Sequence, residues 1–312
     1  MSKRKPNKTV NARGAELAKV SPDPVASQSG ADATPTDPPG LYVVATPIGN
    51  SRDITLRALD LLMSADVIAC EDTRVTARLL AIHNISKPLI AYHDHNAEAA
   101  GRDIIKRLKS GEIVALVSDA GTPMISDPGY RLVRQCAEQD LLVTHLPGPS
   151  SVLGGLVLSG LPTDRFLFAG FPPVKAGRRG TFLTELKAVP ATLVLLESPK
   201  RLAASLAHMA AVLGDRPAAV GRELTKLFEE VRRGNLADLA AHYRAAGAPK
   251  GEVTVVVGPP LIATPPTPKE LDGMITDALK NASVRDAAAQ VADLTGLPRR
   301  NIYGRALALS GK

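Results

Sequence analysis

Two cysteines, no tryptophan and no long apolar run mark this 312-residue chain, and each shortage removes a class of protein. Cys70 and Cys136 stand alone, outside any CxxC or Cys/His cluster, so neither a disulfide framework nor a zinc site fits, and buried reduced thiols are expected. Nothing approaches the roughly 20 consecutive apolar residues that a bilayer-spanning helix needs. Lys3, Arg4, Lys5 and Lys8 precede polar and small residues rather than an apolar stretch, which argues against a secretory leader and for a cytoplasmic protein without a membrane partner. Aromatic residues make up 3% of the chain, too few for a platform that stacks single-stranded bases. Two phosphate-binding signatures are missing as well. No GxGxxG and no GxxxxGK followed by Ser or Thr occurs, which excludes NAD or a nucleoside triphosphate held in those standard ways.

What is present suits a two-domain enzyme. Apolar residues reach 45% and the net charge is +7, a modest excess that supports a polyanionic partner without requiring one. Residues 1–39 are rich in Lys, Pro, Ser, Ala and Asp without periodicity and are expected to be a disordered tail. From Leu41 the pattern alternates. Apolar runs at Leu41–Ala45, Val67–Cys70, Leu89–Tyr92, Ile113–Val117 and Leu141–Leu146 read as strands, with amphipathic stretches at Leu56–Ser64, Thr73–His83 and Asn96–Ser110 between them. Strands separated by helices predict a mainly parallel sheet covered on both faces.

A second α/β domain is expected after a boundary near 155–163, with strands at Phe166–Gly170, Thr192–Glu197, Ala218–Val220 and Val253–Val257. A more exposed strand fits Leu227–Arg233, stopped by Gly234. The division is thus 40–158 and 159–260. A Pro-rich linker, Pro259–Pro268, leads to a helical extension over 268–312 with helices at Lys269–Lys280, Val284–Leu294 and Pro298–Leu309, the second capped by Ser283. This extension reads either as a helix-turn-helix turning at Gly296 or, the simpler reading, as a helical cap on the second domain. After Asp293 it carries four basic residues and no acidic one.

The loops that follow the strands carry the chemistry. Ser118–Gly129 runs Ser-Asp-Ala-Gly-Thr-Pro-Met-Ile-Ser-Asp-Pro-Gly, a strand emptying into small, polar and turn residues where α/β sheets bind ligands. Ala45–Asn50, ahead of a helix that Asp53 is placed to cap, and Pro147–Ser151 end two further strands in the same way. Any one of them alone also fits an ordinary turn. Three such loops on one sheet edge predict a cleft.

These residues also carry a resemblance over most of the chain. Tyr42–Asn50 with Asp53–Ala58, Cys70–Arg74, Tyr92–Asn96, Ser118–Gly129, Pro147–Ser151, Glu197–Arg201 and Gly221–Lys226 occur in an order that resembles the ribosomal RNA small subunit methyltransferase I family of the tetrapyrrole methylase superfamily. Ser51 departs from the Leu common there after Gly-Asn, and the N-terminal tail is longer. The resemblance implies a two-domain α/β tetrapyrrole-methylase (class III methyltransferase) fold with a small helical C-terminal extension. It also implies S-adenosylmethionine in the cleft, 2'-O-methylation of a cytidine in the decoding region of 16S ribosomal RNA within the small subunit, and a homodimer.

On that pattern Asp119, Gly121, Thr122, Ser150 and Ser151 would line the cofactor pocket, with Pro47 and Gly49 shaping its wall. A ribose hydroxyl is a poor nucleophile until its proton begins to leave, so a general base is wanted. The candidates follow two strands of the first domain: Glu71, Asp72 and Arg74, and His93 and His95, joined by Glu197 from the Glu197–Arg201 motif. Structural histidines and ordinary ion pairs are the competing readings, and no metal is expected from His93-Asp94-His95 alone. Arg74, Lys200 and Arg201 read as phosphate or carboxylate anchors. Lys175–Arg179 reads as a mobile basic lid over RNA or a solvated loop. Two other functions remain open: carbon methylation of a tetrapyrrole on the same fold, and a non-enzymatic nucleic-acid-binding regulator that uses the C-terminal helices.

Overall fold

The computed structural model describes residues 37–125, 129–260, 266–295 and 297–310. Most of the expected tail over 1–39 lies outside the described residues, as do 126–128 of the Ser118–Gly129 loop, 261–265 of the linker and Gly296.

The first sheet is made of β1 (Gly40–Val44), β2 (Val67–Cys70), β3 (Leu89–Ala91), β4 (Ile113–Val117) and β5 (Val143–Leu146). They run in the order β3-β2-β4-β1-β5, every pair parallel. Side chains alternate across a strand, so its apolar runs feed two cores. Tyr42, Val44, Ala115 and Val117 pack with Ala58, Leu61 and Leu62 of α1 (Leu56–Ser64) and Leu80 of α2 (Thr73–Ile82). Leu41, Val43, Val114 and Leu116 pack with Ile104, Ile105 and Leu108 of α3 (Ala97–Lys109) and Leu132 and Cys136 of α4 (Tyr130–Ala137). Each fully buried Leu or Ile contributes about 1.5–3 kcal/mol of transfer free energy. Both thiols are buried and free, as expected. The cap of α1 is a correction. Thr55, not Asp53, accepts from the Ala58 N–H, because Ser51–Asp53 winds into a short 3-10 turn of its own.

A second sheet holds β6 (Phe166–Gly170), β7 (Thr192–Glu197), β8 (Pro217–Arg222), β9 (Glu230–Asn235) and β10 (Val253–Val257), ordered β6-β7-β10-β8-β9. Only β6 and β7 pair in parallel, since β10 inserts antiparallel between β7 and β8. The strand expected at Leu227–Arg233 is displaced. It begins at Glu230 and runs through Gly234, because the preceding residues turn tightly, with Glu223 and Thr225 in the left-handed region at φ 50° and 65°. One face buries Leu193, Leu195, Val220, Val253 and Val255 against α6 (Ala176–Leu186), α7 (Leu202–Leu213) and α8 (Leu236–Ala246). On the other face Val194 and Val256 meet Val152 and Leu156 of α5 (Ser151–Ser159). Gly155 lets α5 approach closely, for a Cβ there would lie 2.6 Å from Thr254 Cγ2.

The basic lid is a second correction. Residues from Ala176 form the first turns of α6, and the buried Arg179 donates through Nε to His208 Nδ1 at 3.1 Å and through Nη1 to the Val174 carbonyl. In the extension, α9 (Pro268–Leu279), α10 (Val284–Thr295) and α11 (Arg299–Leu309) close their own small core of Ile275, Ala288, Val291, Ile302 and Ala306. A cap that spends its apolar face on the second domain does not describe it.

Candidate active site

The order β3-β2-β4-β1-β5 places β4 centrally, so the loop after β4 has the loops after β1 and β5 on one side and those after β2 and β3 on the other. Thr46 knits the first group together. Its N–H donates to the Gly121 carbonyl at 2.9 Å, the Gly121 N–H returns a bond to the Thr46 carbonyl at 3.0 Å, and its buried hydroxyl donates to the Ser118 carbonyl at 3.0 Å. Thr122 Oγ1 donates to the Pro149 carbonyl at 3.3 Å. Gly121, at φ +83°, makes the turn that a side chain would strain. The three cradles therefore converge as expected.

Two recesses adjoin at Asp119. One, of about 430 Å³, lies between the sheets and is lined by Ile48, Asp119, Ala120, Ile125 and Ser151 on one side and by Phe171, Leu196–Pro199 and Gly251–Thr254 on the other. The other, of about 410 Å³, is lined by Glu71, Asp72, Thr73, Arg74, Ala91, His93, His95 and Asp119. Gly121, Thr122, Ser150 and Ser151 meet around a small hollow of about 30 Å³ at the N-terminus of α5, where Ser150 caps the helix by accepting from the Leu153 N–H.

Five of the six expected catalytic residues thus share one recess and Glu197 does not. Both Glu197 oxygens are engaged: one accepts from the Ser198 N–H at 2.6 Å and pairs with Arg201 at 2.5 Å, the other accepts from the Ser205 hydroxyl. Those bonds tie the Glu197–Arg201 turn together. Arg201 is correspondingly tied down, donating also to the Pro172 carbonyl at 3.3 Å. Neither Pro47 nor Gly49 lines the two recesses. Ile48 between them does, and Gly49 instead admits Lys226, whose Cγ would stand 2.3 Å from a Cβ at that position.

Electrostatics separates the carboxylates. Asp72 caps α2, accepting from the Arg74 N–H at 2.8 Å and from Arg74 Nε and Nη2. These bonds to the charged form hold it down to about 2. Glu71 is pushed above the usual carboxylate range by burial first and then by the negative charges of Asp119 and Asp94. Among the described residues His93 Nδ1 is buried there without a hydrogen-bond partner, and its ring meets that of His95 edge-on with centroids 6.0 Å apart. Sequence reasoning missed Phe171, Leu196 and Gly251–Thr254. The single signal for the last was polar Lys250-Gly251-Glu252 feeding a buried strand.

A family profile described as tetrapyrrole (corrin/porphyrin) methylases matches residues 40–240, and one described as the RsmI C-terminal HTH domain matches 265–310. In fold the chain is similar to uroporphyrin-III-C-methyltransferase from Thermus thermophilus, with a TM-score of 0.51 and 24% identity over 70% of this chain and 93% of that one. It is likewise similar to diphthine synthase, with a TM-score of 0.55 and 18% identity over 70% and 89%. Two converging α/β sheets with a cleft between them therefore define a class III methyltransferase, which uses S-adenosylmethionine. The sequence is 53% identical over 272 residues to ribosomal RNA small subunit methyltransferase I of Mesorhizobium japonicum, covering 87% of this chain and 92% of the relative. With the enzyme of the same name from Escherichia coli O157:H7 it shares 41% over 275 residues, covering 87% and 96%. The chain belongs to the ribosomal RNA small subunit methyltransferase I family.

The cleft fits that methyl donor. Its volume falls in the usual range for small-molecule sites of about 300–1,000 Å³. The N-terminus of α5 points unpaired N–H groups at a hollow suited to a carboxylate. Gly148, where a Cβ would press on Ala45 Cβ at 3.0 Å, keeps the cradle closed behind it.

Proposed function

We propose that the chain methylates the ribose 2'-hydroxyl of a cytidine in the decoding region of 16S ribosomal RNA, acting on the small subunit in the cytoplasm as a homodimer. The observation that carries this reading is the sharing of Asp119 by two recesses, one sized for the donor and one lined with proton-accepting groups. The names of the relatives agree with an RNA substrate. When bound, the donor would supply an electrophilic methyl group on a sulfonium.

Asp119, Gly121, Thr122, Ser150 and Ser151 would hold it, the α5 N-terminus and hydroxyls taking its carboxylate and the Asp119 side chain its positive end. Ile48 and Leu196 exclude water from the apolar part of the cleft. Holding the acceptor oxygen in line at the mouth of the second recess supplies much of the rate. Arg74, its guanidinium on the solvent side of that recess, is suited to a flanking phosphate.

RNA grip beyond the site is assigned to the extension. Among the described residues Arg285, Arg299 and Arg300 form no ion pair, whereas the acidic Asp272 and Asp277 are taken by Arg305 and Lys280. A contact between the Arg299 guanidinium and the Arg285 carbonyl, at 3.3 Å, brings two of these arginines together. For the dimer, Leu153 and Val157 offer an exposed apolar stripe on α5, at 50% and 72% exposure. No described helix is long and apolar enough to cross a membrane. The test is ribose-methylation mapping on small subunits incubated with purified protein and labelled donor. A new mark on a decoding-region cytidine supports the reading, and label confined to a tetrapyrrole offered in competition refutes it.

A further inference from the structure

Three carboxylates line the recess beside the donor cleft, and two of them already have work. Asp72 spends both oxygens on Arg74 and on the first turn of α2. Asp119 accepts the Asp72 N–H at 3.0 Å and stands at the border of the two recesses. Glu71 is different. No hydrogen bond or ion pair among the described residues engages its side chain, and what acts on it is burial and the charges around it.

Resting on the reading above that the acceptor is a ribose hydroxyl, we propose that Glu71 is the general base that takes the hydroxyl proton, with His93 as the positioning group beside it. The groups facing Glu71 come from three places: Asp72 and Arg74 from the cap and first turn of α2, His93, Asp94 and His95 from the loop after β3, and Asp119 from the loop after β4.

The step balances. The O–H bond breaks and its proton passes to the Glu71 carboxylate. An oxygen lone pair forms the new bond to the methyl carbon, while the carbon–sulfur pair stays with the leaving thioether. One negative and one positive charge disappear together, so a partly desolvated recess favours the transfer. A carboxylate raised by its surroundings is also a stronger base than Asp72, whose bonds to Arg74 hold it down. His93 fits a supporting part, because its buried Nδ1 has no partner of its own among the described residues.

The test is single-turnover methylation of small subunits by the full chain, with ribose-specific mapping, across a pH series. Glu71→Gln is expected to lower the rate about 10²–10⁴-fold and to remove the fall in rate that the parent shows as pH drops through the raised carboxylate range. Glu71→Asp should recover part of the rate, and donor affinity by calorimetry should stay within about threefold in both, which separates loss of chemistry from loss of fold. His93→Ala should shift the acid limb of the profile. If the parent marks the ribose and Glu71→Gln does so at a similar rate with the same pH profile, the assignment of Glu71 is overturned while the substrate reading stands. If the parent places no label on any ribose, the substrate reading falls and takes a hydroxyl base with it.

Discussion

The Asp72 N–H donates to Asp119 Oδ1 at 3.0 Å, and this one bond ties the loop after β2 to the loop after β4. It makes the geometry of the two recesses interdependent, since Asp119 lines both.

Asp119→Ala should therefore weaken donor binding and turnover together, the first by about 5- to 150-fold if losing this bond to a charged acceptor costs the cleft about 1–3 kcal/mol. Asp119→Asn keeps an oxygen for that N–H. It should preserve the loop tie and lose only what the charge contributes. Calorimetric titration with donor beside turnover rates separates the two, and identical affinities for parent and Asp119→Ala would show that the tie does not shape the cleft.

Gly49 and Lys226 meet across the two halves of the chain. A Cβ at Gly49 would stand 2.3 Å from Lys226 Cγ, and Lys226 cannot swing away without leaving Glu223 and Glu252, each 2.9 Å from its ammonium. Gly49→Ala should cost about 1–3 kcal/mol in thermal or urea unfolding. Lys226→Ala removes the obstacle, so the double variant should be less destabilised than the sum of the singles. Additive costs would place the strain elsewhere.

Much of this arrangement was legible in the sequence because it depends on local pattern. The runs at Val67–Cys70 and Ile113–Val117 became β2 and β4 with the same bounds, since a buried parallel strand needs an unbroken apolar run. The convergence of Ala45–Asn50, Ser118–Gly129 and Pro147–Ser151 was also readable, since each follows a strand and strand ends of a parallel sheet share one edge. Side-chain partners were not readable. Glu197 and Glu71 look alike as acidic residues in sequence motifs, yet one is enclosed by Ser198, Ser205 and Arg201 and the other has no hydrogen bond or ion pair among the described residues. Arg179 likewise resembled a basic lid until His208, 29 residues away, claimed its guanidinium.

Asp72 sets an acid limit for α2. Its folded value lies below the ordinary carboxylate value, so its contribution is fully present above the unfolded pKa and is lost as pH falls from about 4 toward about 2. Asp72→Asn cannot titrate. The difference in melting temperature between parent and Asp72→Asn should be constant from pH 5 to 7 and shrink below about pH 4, as scanning calorimetry would record.

Glu197 is a motif residue tied into its own turn. Its side chain is fully buried and Arg201 is largely so, so Glu197→Ala leaves a cation, a hydroxyl and an N–H without their acceptor. A loss of about 3–5 kcal/mol is expected from breaking such a pair. Glu197→Gln keeps an oxygen and the volume, and should lose less stability while leaving the pH dependence of the rate in place. A changed acid limb in Glu197→Gln would instead bring this residue into the chemistry.

The extension is tested through salt. Each arginine that neutralises a phosphate contributes about 0.7–0.9 to the slope of log affinity against log salt concentration. Arg285, Arg299 and Arg300 lie on α10 and α11 and make no ion pair among the described residues, whereas Arg305 is held by Asp272. Replacing Arg299 and Arg300 with Ala should lower the slope for small-subunit binding by about 1.4–1.8 and weaken binding at low salt, with donor affinity unchanged. Arg305→Ala should behave in the opposite way, loosening the three-helix core with little change in slope, because its charge is already spent on Asp272. A slope that falls with Arg305→Ala but not with the Arg299 and Arg300 pair would move the RNA-facing side of the extension to the face of α11 that carries Arg305 beside Asp272.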